Sequence, residues 1–126
     1  TFGGRVDAAV AIRDALLGSP LRTVAFINRR AISAGALISL AATDIVMADG
    51  GTIGAATPVQ IGAGGEAQEQ PKATEEKSVS YVRKEFRATA EARGRDPRIA
   101  EAMVDADVAI DSLIAAGKLL TLTTDE

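Results

Sequence analysis

The spacing of apolar residues along the chain predicts helices alternating with short strands. Near the start, apolar residues recur at intervals of three and four positions, which predicts a helix that a Gly-Ser-Pro run ends. β-branched runs over 21–28 and 44–48 predict strands, the first of them buried on both faces, and 52–54 favours a third. Between the first two strands, small residues over 31–35 predict a turn and the apolar run over 36–43 predicts a helix.

The second half of the chain continues the alternation with a longer helical pattern. Its predicted elements are a long helix, two short helices and a last strand, over 75–94, 96–103, 111–116 and 118–122. Asp96 as N-cap and Pro97 at the first helical position mark the start of the second of these helices. The order of elements therefore predicts an α/β fold, built in layers as a single domain over residues 1–126.

The stretch over 55–76 differs in composition from the rest of the chain. It is rich in Gly, Ala, Gln, Glu and Pro and has few large apolar side chains. Long segments of this kind inside compact domains are usually functional loops or disordered. We therefore predict that residues 55–76 form a mobile loop beside the functional site.

Composition excludes several classes of chemistry. The chain of 126 residues contains no histidine and no cysteine, which excludes Ser-His-Asp and Cys-His mechanisms, disulfides and imidazole or thiolate metal sites. A net charge of −3 and 3% aromatic residues argue against nucleic-acid binding. The glycine-rich run over 50–54 lacks the spacing of a nucleotide-binding loop, and the acidic residues over 105–111 lack that of a calcium loop. We expect no cofactor and no metal.

Ser33 is the sharpest candidate nucleophile in the sequence. It follows a predicted strand and precedes an apolar helix, with small residues on either side. A serine at such a turn exposes its hydroxyl close to backbone N–H groups at a helix N-terminus. Serine is also a common N-cap residue, and the local sequence alone favours that simpler interpretation.

Without histidine, the most plausible partner for a serine nucleophile is a lysine base. The chain has only four lysines, at Lys72, Lys77, Lys84 and Lys118. Lys77 lies where the predicted loop meets the long helix, and an amine packed against apolar walls loses its proton more readily. Lys84, two helical turns further along, is the second choice, and a solvated role for Lys77 is the alternative.

The glycine pair before the first helix could supply part of an oxyanion hole. Gly3 and Gly4 leave their backbone N–H groups free of side-chain bulk, and the N–H of Ala34 beside the nucleophile would be the second donor. A flexible turn is the alternative interpretation of the pair.

Three segments that appear in order carry a resemblance to a known family. They are 2–9 (FGGRVDAA), 30–36 (RAISAGA) and 51–56 (GTIGAA). Together they resemble the membrane-bound serine protease domain of the NfeD family, of the ClpP class, from Gly3 to about Thr123. The resemblance implies an α/β fold of the ClpP/crotonase type, N-terminally truncated because the first strand-turn region would precede Thr1. Phe2 stands where the family usually has proline, which implies a less rigid entry to the glycine turn.

The same resemblance implies an activity and a set of site residues. It implies a serine endopeptidase with a Ser-Lys dyad of Ser33 and Lys77, and an oxyanion hole formed by Gly4, backed by Gly3, and Ala34. The implied substrates are hydrophobic segments of membrane-associated proteins, with a stomatin-like protein as partner, and the implied assembly is a homo-oligomer.

The implied setting is a soluble fragment of a membrane-anchored protein with the protease domain on the extracytoplasmic side. Two alternatives remain open at this stage. One is a crotonase-like enzyme acting on an acyl thioester, and the other is a catalytically degenerate interaction module.

Overall fold

A computed structural model of the chain describes residues 1–62 and 64–126. The first six elements are α1 (Val6–Gly18), β1 (Val24–Ile27), β2 (Arg30–Ile32), α2 (Ala34–Ala41), β3 (Asp44–Met47) and β4 (Thr52–Gly54). The remaining elements are β5 (Gln60–Ile61), β6 (Ala67–Gln68), α3 (Lys72–Ala92), α4 (Pro97–Ala102) and β7 (Thr121–Thr123). The predicted α/β class is confirmed.

The strands of the described ranges form three small sheets. β1 and β3 pair in parallel, with Val24 opposite Asp44. β4 is the centre of the second sheet, parallel to β2 on one side and antiparallel to β7 on the other. β5 and β6 form an antiparallel hairpin. In the second sheet, β2 leads directly into Ser33.

α2 is the buried helix at the centre of the fold. Six of its eight residues are buried, as expected of a helix that is apolar on nearly every face. The buried hydroxyl of Ser39 donates to the carbonyl of Gly35 at 2.8 Å, so this polar group has a hydrogen-bond partner although it is shielded from water. α1 and α3 pack against α2, and the buried Phe86 of α3 joins the same core as Leu37 and Leu40. The position of Ser33 is therefore set by a rigid element.

Two arginines that follow α3 cap the carboxyl ends of the helices they face. The Arg93 guanidinium donates to the carbonyls of Leu16 and Ala41 at 2.9 and 2.8 Å. The Arg95 guanidinium donates to the carbonyls of Leu40, Ala42 and Thr43 at 3.0, 3.1 and 3.1 Å. Burial and the neighbouring charge of Arg93 lower the pKa of Arg95, but its interactions with carbonyl oxygens at a helix C-terminus require the charged form.

We expect Arg95→Ala to lower the free energy of unfolding by about 1–2 kcal/mol, because it leaves several helix-end carbonyls without a charged donor. Urea denaturation measures the change. Arg5→Ala is the matched control, since Arg5 is exposed and pairs with the exposed Asp7, and it should leave the free energy of unfolding nearly unchanged. Equal stability of the Arg95→Ala and Arg5→Ala chains would contradict the capping role.

The structure corrects several predicted elements. β1 is not buried on both faces: Val24 and Phe26 are 56% and 65% exposed, because alternate residues of a strand point to opposite faces and only the Ile27 face packs on the core. The small residues over 31–35 are not only a turn, since β2 extends to Ile32.

Other corrections concern the second half of the chain. The predicted helix over 111–116 is a turn closed by an Ile110–Ile114 bridge, and the positive φ of 65° at Ser112 is incompatible with a helix. The last strand lies at 121–123 rather than 118–122. α3 begins at Lys72, three residues earlier than predicted.

The segment 55–76 contains more regular structure than its composition indicates. It holds the β5–β6 hairpin and the first residues of α3. Ala63, within this segment, lies outside the described residues. The mobility of the segment 55–76 stays a prediction.

Candidate functional site

Ser33 occupies a strained backbone position between β2 and α2. Its φ of 57° and ψ of −119° lie in a region that favours glycine. Two backbone hydrogen bonds fix this conformation. The Ser33 N–H donates to the carbonyl of Gly54 in β4 at 3.0 Å, and the Ser33 carbonyl accepts from the Ala36 N–H at 2.9 Å. Strain at a non-glycine residue is common where a side chain must be aimed for function.

The Ser33 hydroxyl does not cap helix α2. Ser33 stands at the N-cap position of α2, yet its side chain makes no capping hydrogen bond. Ser33 is half-buried as a residue, and its hydroxyl accepts no hydrogen bond from the backbone of the helix. The simpler interpretation, in which the serine is retained for capping, therefore does not account for this residue.

Gly3 and Gly4 lie against Ser33 and Ala34. A Cβ atom built on Gly3 would be 3.4 Å from Ser33 Cβ and 3.6 Å from Ser33 Oγ, and one built on Gly4 would be 3.6 Å from Ala34 Cβ. Within residues 1–62 and 64–126, the N–H groups of Gly4 and Ala34 donate no backbone hydrogen bond. The structure thus brings four of the predicted site residues together, with backbone donors free beside the hydroxyl.

Hydrogen bonds to β2 hold the glycine pair in place. The backbone nitrogen of Thr1 donates to the Arg30 carbonyl at 2.7 Å, and the Ile32 N–H donates to the Thr1 carbonyl at 3.2 Å. A Cβ atom at Gly35 would contact Thr1 Oγ1, so the missing side chain leaves room for the Thr1 hydroxyl in its present position. The two halves of the site are therefore fixed to the same strand.

The backbone conformation at Gly3 requires a glycine. Its φ of 133° is one that other residues rarely adopt. We expect Gly3→Ala to lower the free energy of unfolding by about 1–3 kcal/mol, because alanine is strained at this φ. Gly18→Ala, at a position with open space and ordinary φ, is the control. An unchanged free energy of unfolding in Gly3→Ala, measured by urea denaturation, would contradict the conformational requirement at this turn.

Lys77 lies in the second turn of α3 with an exposed side chain. In the part of the chain that the structure describes, no hydrogen bond joins its amine to Ser33 Oγ, and it takes part in no ion pair. Lys84, by contrast, is 3.4 Å from Glu101 Oε1. The site residues Gly3, Gly4, Ser33 and Ala34 thus lie together, whereas the pairing of Lys77 with Ser33 stays a prediction.

An exposed ion pair lies just beyond Gly4. Arg5 contacts Asp7 in the first turn of α1 at 2.6 Å. The hydrogen bond from Arg5, with a further one from the Ala8 backbone, lowers the pKa of Asp7. Asp7 is therefore ionised at neutral pH and favourably placed at the positive end of the α1 dipole. A carboxylate held in this way is a poor general acid or base.

Sequence reasoning missed one part of the site, the hairpin beside the glycine pair. The residues before and within β5 (58–61) face residues 2–6 across a groove of about 670 Å³. Val59 and Ile61 are both 66% exposed. The apolar-polar-apolar order Val-Gln-Ile, followed by glycines, is the signal that could have predicted a strand here.

The described residues contain neither a metal-binding cluster nor a membrane-spanning helix. No group of three or more acidic side chains there is arranged to hold a metal ion. No helix there combines the length and apolar character needed to cross a bilayer.

Known proteins resemble the chain in both sequence and fold. A membrane protein NfeD1b of Bacillus subtilis (strain 168) is 38% identical over 127 residues, and the chain spans 27% of that protein's length. In fold, the chain is similar to a serine-to-alanine variant (S→A) of the 1510-N membrane-bound stomatin-specific protease. The TM-score is 0.76 with 28% identity, covering all of this chain and 55% of that one.

A lysine-to-alanine variant of the same protease, in complex with a substrate peptide, matches equally well. Its TM-score is 0.76 with 28% identity, over 98% of this chain and 51% of that one. The predicted resemblance of the fold to an NfeD-type serine protease is thereby confirmed. The family model described as NfeD1b, N-terminal domain, matches residues 1–126, and the chain belongs to that family.

Proposed function

We propose that the chain is a serine endopeptidase domain in which Ser33 is the nucleophile and Lys77 the general base. The observation that carries the proposal is the strained, non-capping Ser33 beside the free N–H groups of Gly4 and Ala34. A serine of this kind needs a base, and the sequence has no histidine to provide one.

The choice of Lys77 rests on its freedom and on the relatives. Lys84 is engaged with Glu101, whereas Lys72, Lys77 and Lys118 make no ion pair within the described ranges. Among these three, the family resemblance implies Lys77. The related protease is known as one variant lacking a serine and another lacking a lysine, the second with a substrate peptide bound. In substrate-free enzymes, catalytic hydrogen bonds are often long or absent, so the exposed amine of Lys77 is compatible with the role.

The chemistry follows from these groups. Neutral Lys77 accepts the proton of Ser33 Oγ as the oxygen attacks the scissile carbonyl, and the oxyanion accepts hydrogen bonds from Gly4 and Ala34 N–H. The lysine returns the proton to the leaving amine, and an acyl-enzyme remains on Ser33. Water, deprotonated by Lys77, hydrolyses that ester, and the proton returns to Ser33. Each oxyanion donor contributes about 3–4 kcal/mol to lowering the barrier.

We propose hydrophobic segments of membrane-associated proteins as substrates, with a stomatin-like protein among them. The fold relative is described as stomatin-specific, and the curated relative as a membrane protein. We further propose that the domain acts within a membrane-anchored, extracytoplasmic and homo-oligomeric protein. Exposed apolar residues along the groove support the choice of substrate.

A fluorophosphonate probe tests the assignment without knowledge of the substrate. The probe should form an adduct on the peptide that contains Ser33, as located by mass spectrometry, and denatured chain should remain unlabelled. Labelling elsewhere, or none in the folded chain, would contradict the peptidase. Absence of labelling is what a crotonase-like enzyme or a degenerate interaction module would give.

A further inference from the structure

The groove beside Gly3 and Gly4 has an apolar wall that the proposed reaction does not use. Phe2 is 80% exposed, and it lines this groove together with Val59 and Ile61. Large apolar side chains that share an exposed surface usually mark a binding site. These side chains lie next to the proposed oxyanion-hole donors, so a peptide substrate is the ligand that this groove fits best.

The Phe2 ring is held rather than free. The backbone of Thr1, its neighbour, is hydrogen-bonded to β2. The guanidinium carbon of Arg30 lies 4.7 Å from the centre of the ring, at cation–π distance. Because most of the ring surface remains exposed, this contact orients Phe2 and leaves it available to a ligand.

The opposite wall is formed by the residues that lead into and form β5. Val59 directly precedes β5 and Ile61 ends it, and both are exposed and line the groove. An extended peptide presents alternate side chains to one wall. β5 pairs only with β6 among the described strands, so its other edge is open to such a peptide.

We propose that Phe2, Val59 and Ile61 determine specificity by packing against a bulky apolar side chain next to the scissile bond. Arg30 should disfavour a basic residue at that substrate position, because the positive charge of its guanidinium lies next to the Phe2 ring and would repel a second cation. The role in cleavage rests on the proposed function, but the binding preference itself does not require turnover.

The test measures binding to the 126-residue chain carrying Ser33→Ala, which cannot form an acyl-enzyme. Extended peptides that differ at one position, Phe, Ala or Lys, are compared by isothermal titration, with the varied position moved along the peptide. At one position the Phe peptide should bind about 10-fold more tightly than the Ala peptide, as for other apolar pockets. Adding Phe2→Ala should reduce this ratio to below about 3-fold.

Matched variants make the result specific. Phe26→Ala removes another exposed phenylalanine, which lies on β1 outside this groove, and should leave the ratio unchanged. Arg30→Gln should improve binding of the Lys peptide relative to the Phe peptide. An unchanged Phe-to-Ala ratio in Phe2→Ala would overturn the proposal, even where Ser33 is labelled by fluorophosphonate. Selective binding in a chain that the probe never labels would support the wall and contradict the peptidase.

Discussion

Ser33→Ala is expected to abolish peptide hydrolysis, lowering kcat by at least about 10⁴-fold, because no other group can form the acyl-enzyme. Labelling by fluorophosphonate should disappear with it. Hydrolysis of an apolar peptide is measured at saturating substrate, with circular dichroism to show that the fold is retained. Ser80→Ala, which removes an exposed hydroxyl from α3, is the matched control and should keep full activity.

The backbone of Ser33 provides a second, independent outcome. Because its φ of 57° favours glycine, Ser33→Gly should be as inactive as Ser33→Ala but more stable to urea by about 1 kcal/mol. A gain in stability together with a loss of activity is expected where strain is retained for function. Turnover by either variant equal to that of the wild type would disprove the nucleophile.

Lys77→Ala is expected to lower kcat by about 10²–10⁴-fold while leaving the fold intact, because it removes the proposed general base and little packing. Lys77 is exposed and makes no ion pair among the described residues, so its loss should leave the free energy of unfolding nearly unchanged. Lys77→Arg should be equally inactive, since a guanidinium cannot give up its proton near neutral pH. Initial rates and urea denaturation measure the two effects separately.

Two lysines serve as controls for that loss. Lys84→Ala removes the contact with Glu101 and Lys72→Ala removes a cation from the first turn of α3, and both should retain turnover. Full activity in Lys77→Ala with loss in either control would transfer the role of the base to that residue.

Local patterns were sufficient to predict much of the fold. The three- and four-residue spacing of apolar positions gave α1 and α3, and Asp96-Pro97 gave the start of α4, where Asp96 does accept from the Arg98 N–H. Such features depend on neighbours in the chain and can therefore be seen in the sequence. The error over 111–116 arose because a positive φ at Ser112, set by a local bridge, leaves no composition signal.

Features that depend on distant residues were harder to predict. The exposure of Phe26 depends on which strands and helices cover β1, and the closeness of Gly3 to Ser33 depends on how Thr1 pairs with β2. The sequence order of the glycine pair and Ser33 indicated that contact only through a family resemblance. The groove wall at Val59 was missed because a two-residue strand gives too short an alternation to separate from a loop.

The most direct test of the proposed dyad is the distance between Ser33 Oγ and Lys77 Nζ in a crystal structure with a non-hydrolysable apolar peptide bound. We predict a separation of about 2.6–3.2 Å, or one bridging water, with the peptide carbonyl facing the N–H groups of Gly4 and Ala34. A bound peptide in that groove with Lys77 directed to solvent, too far away for even one bridging water, would contradict the mechanism.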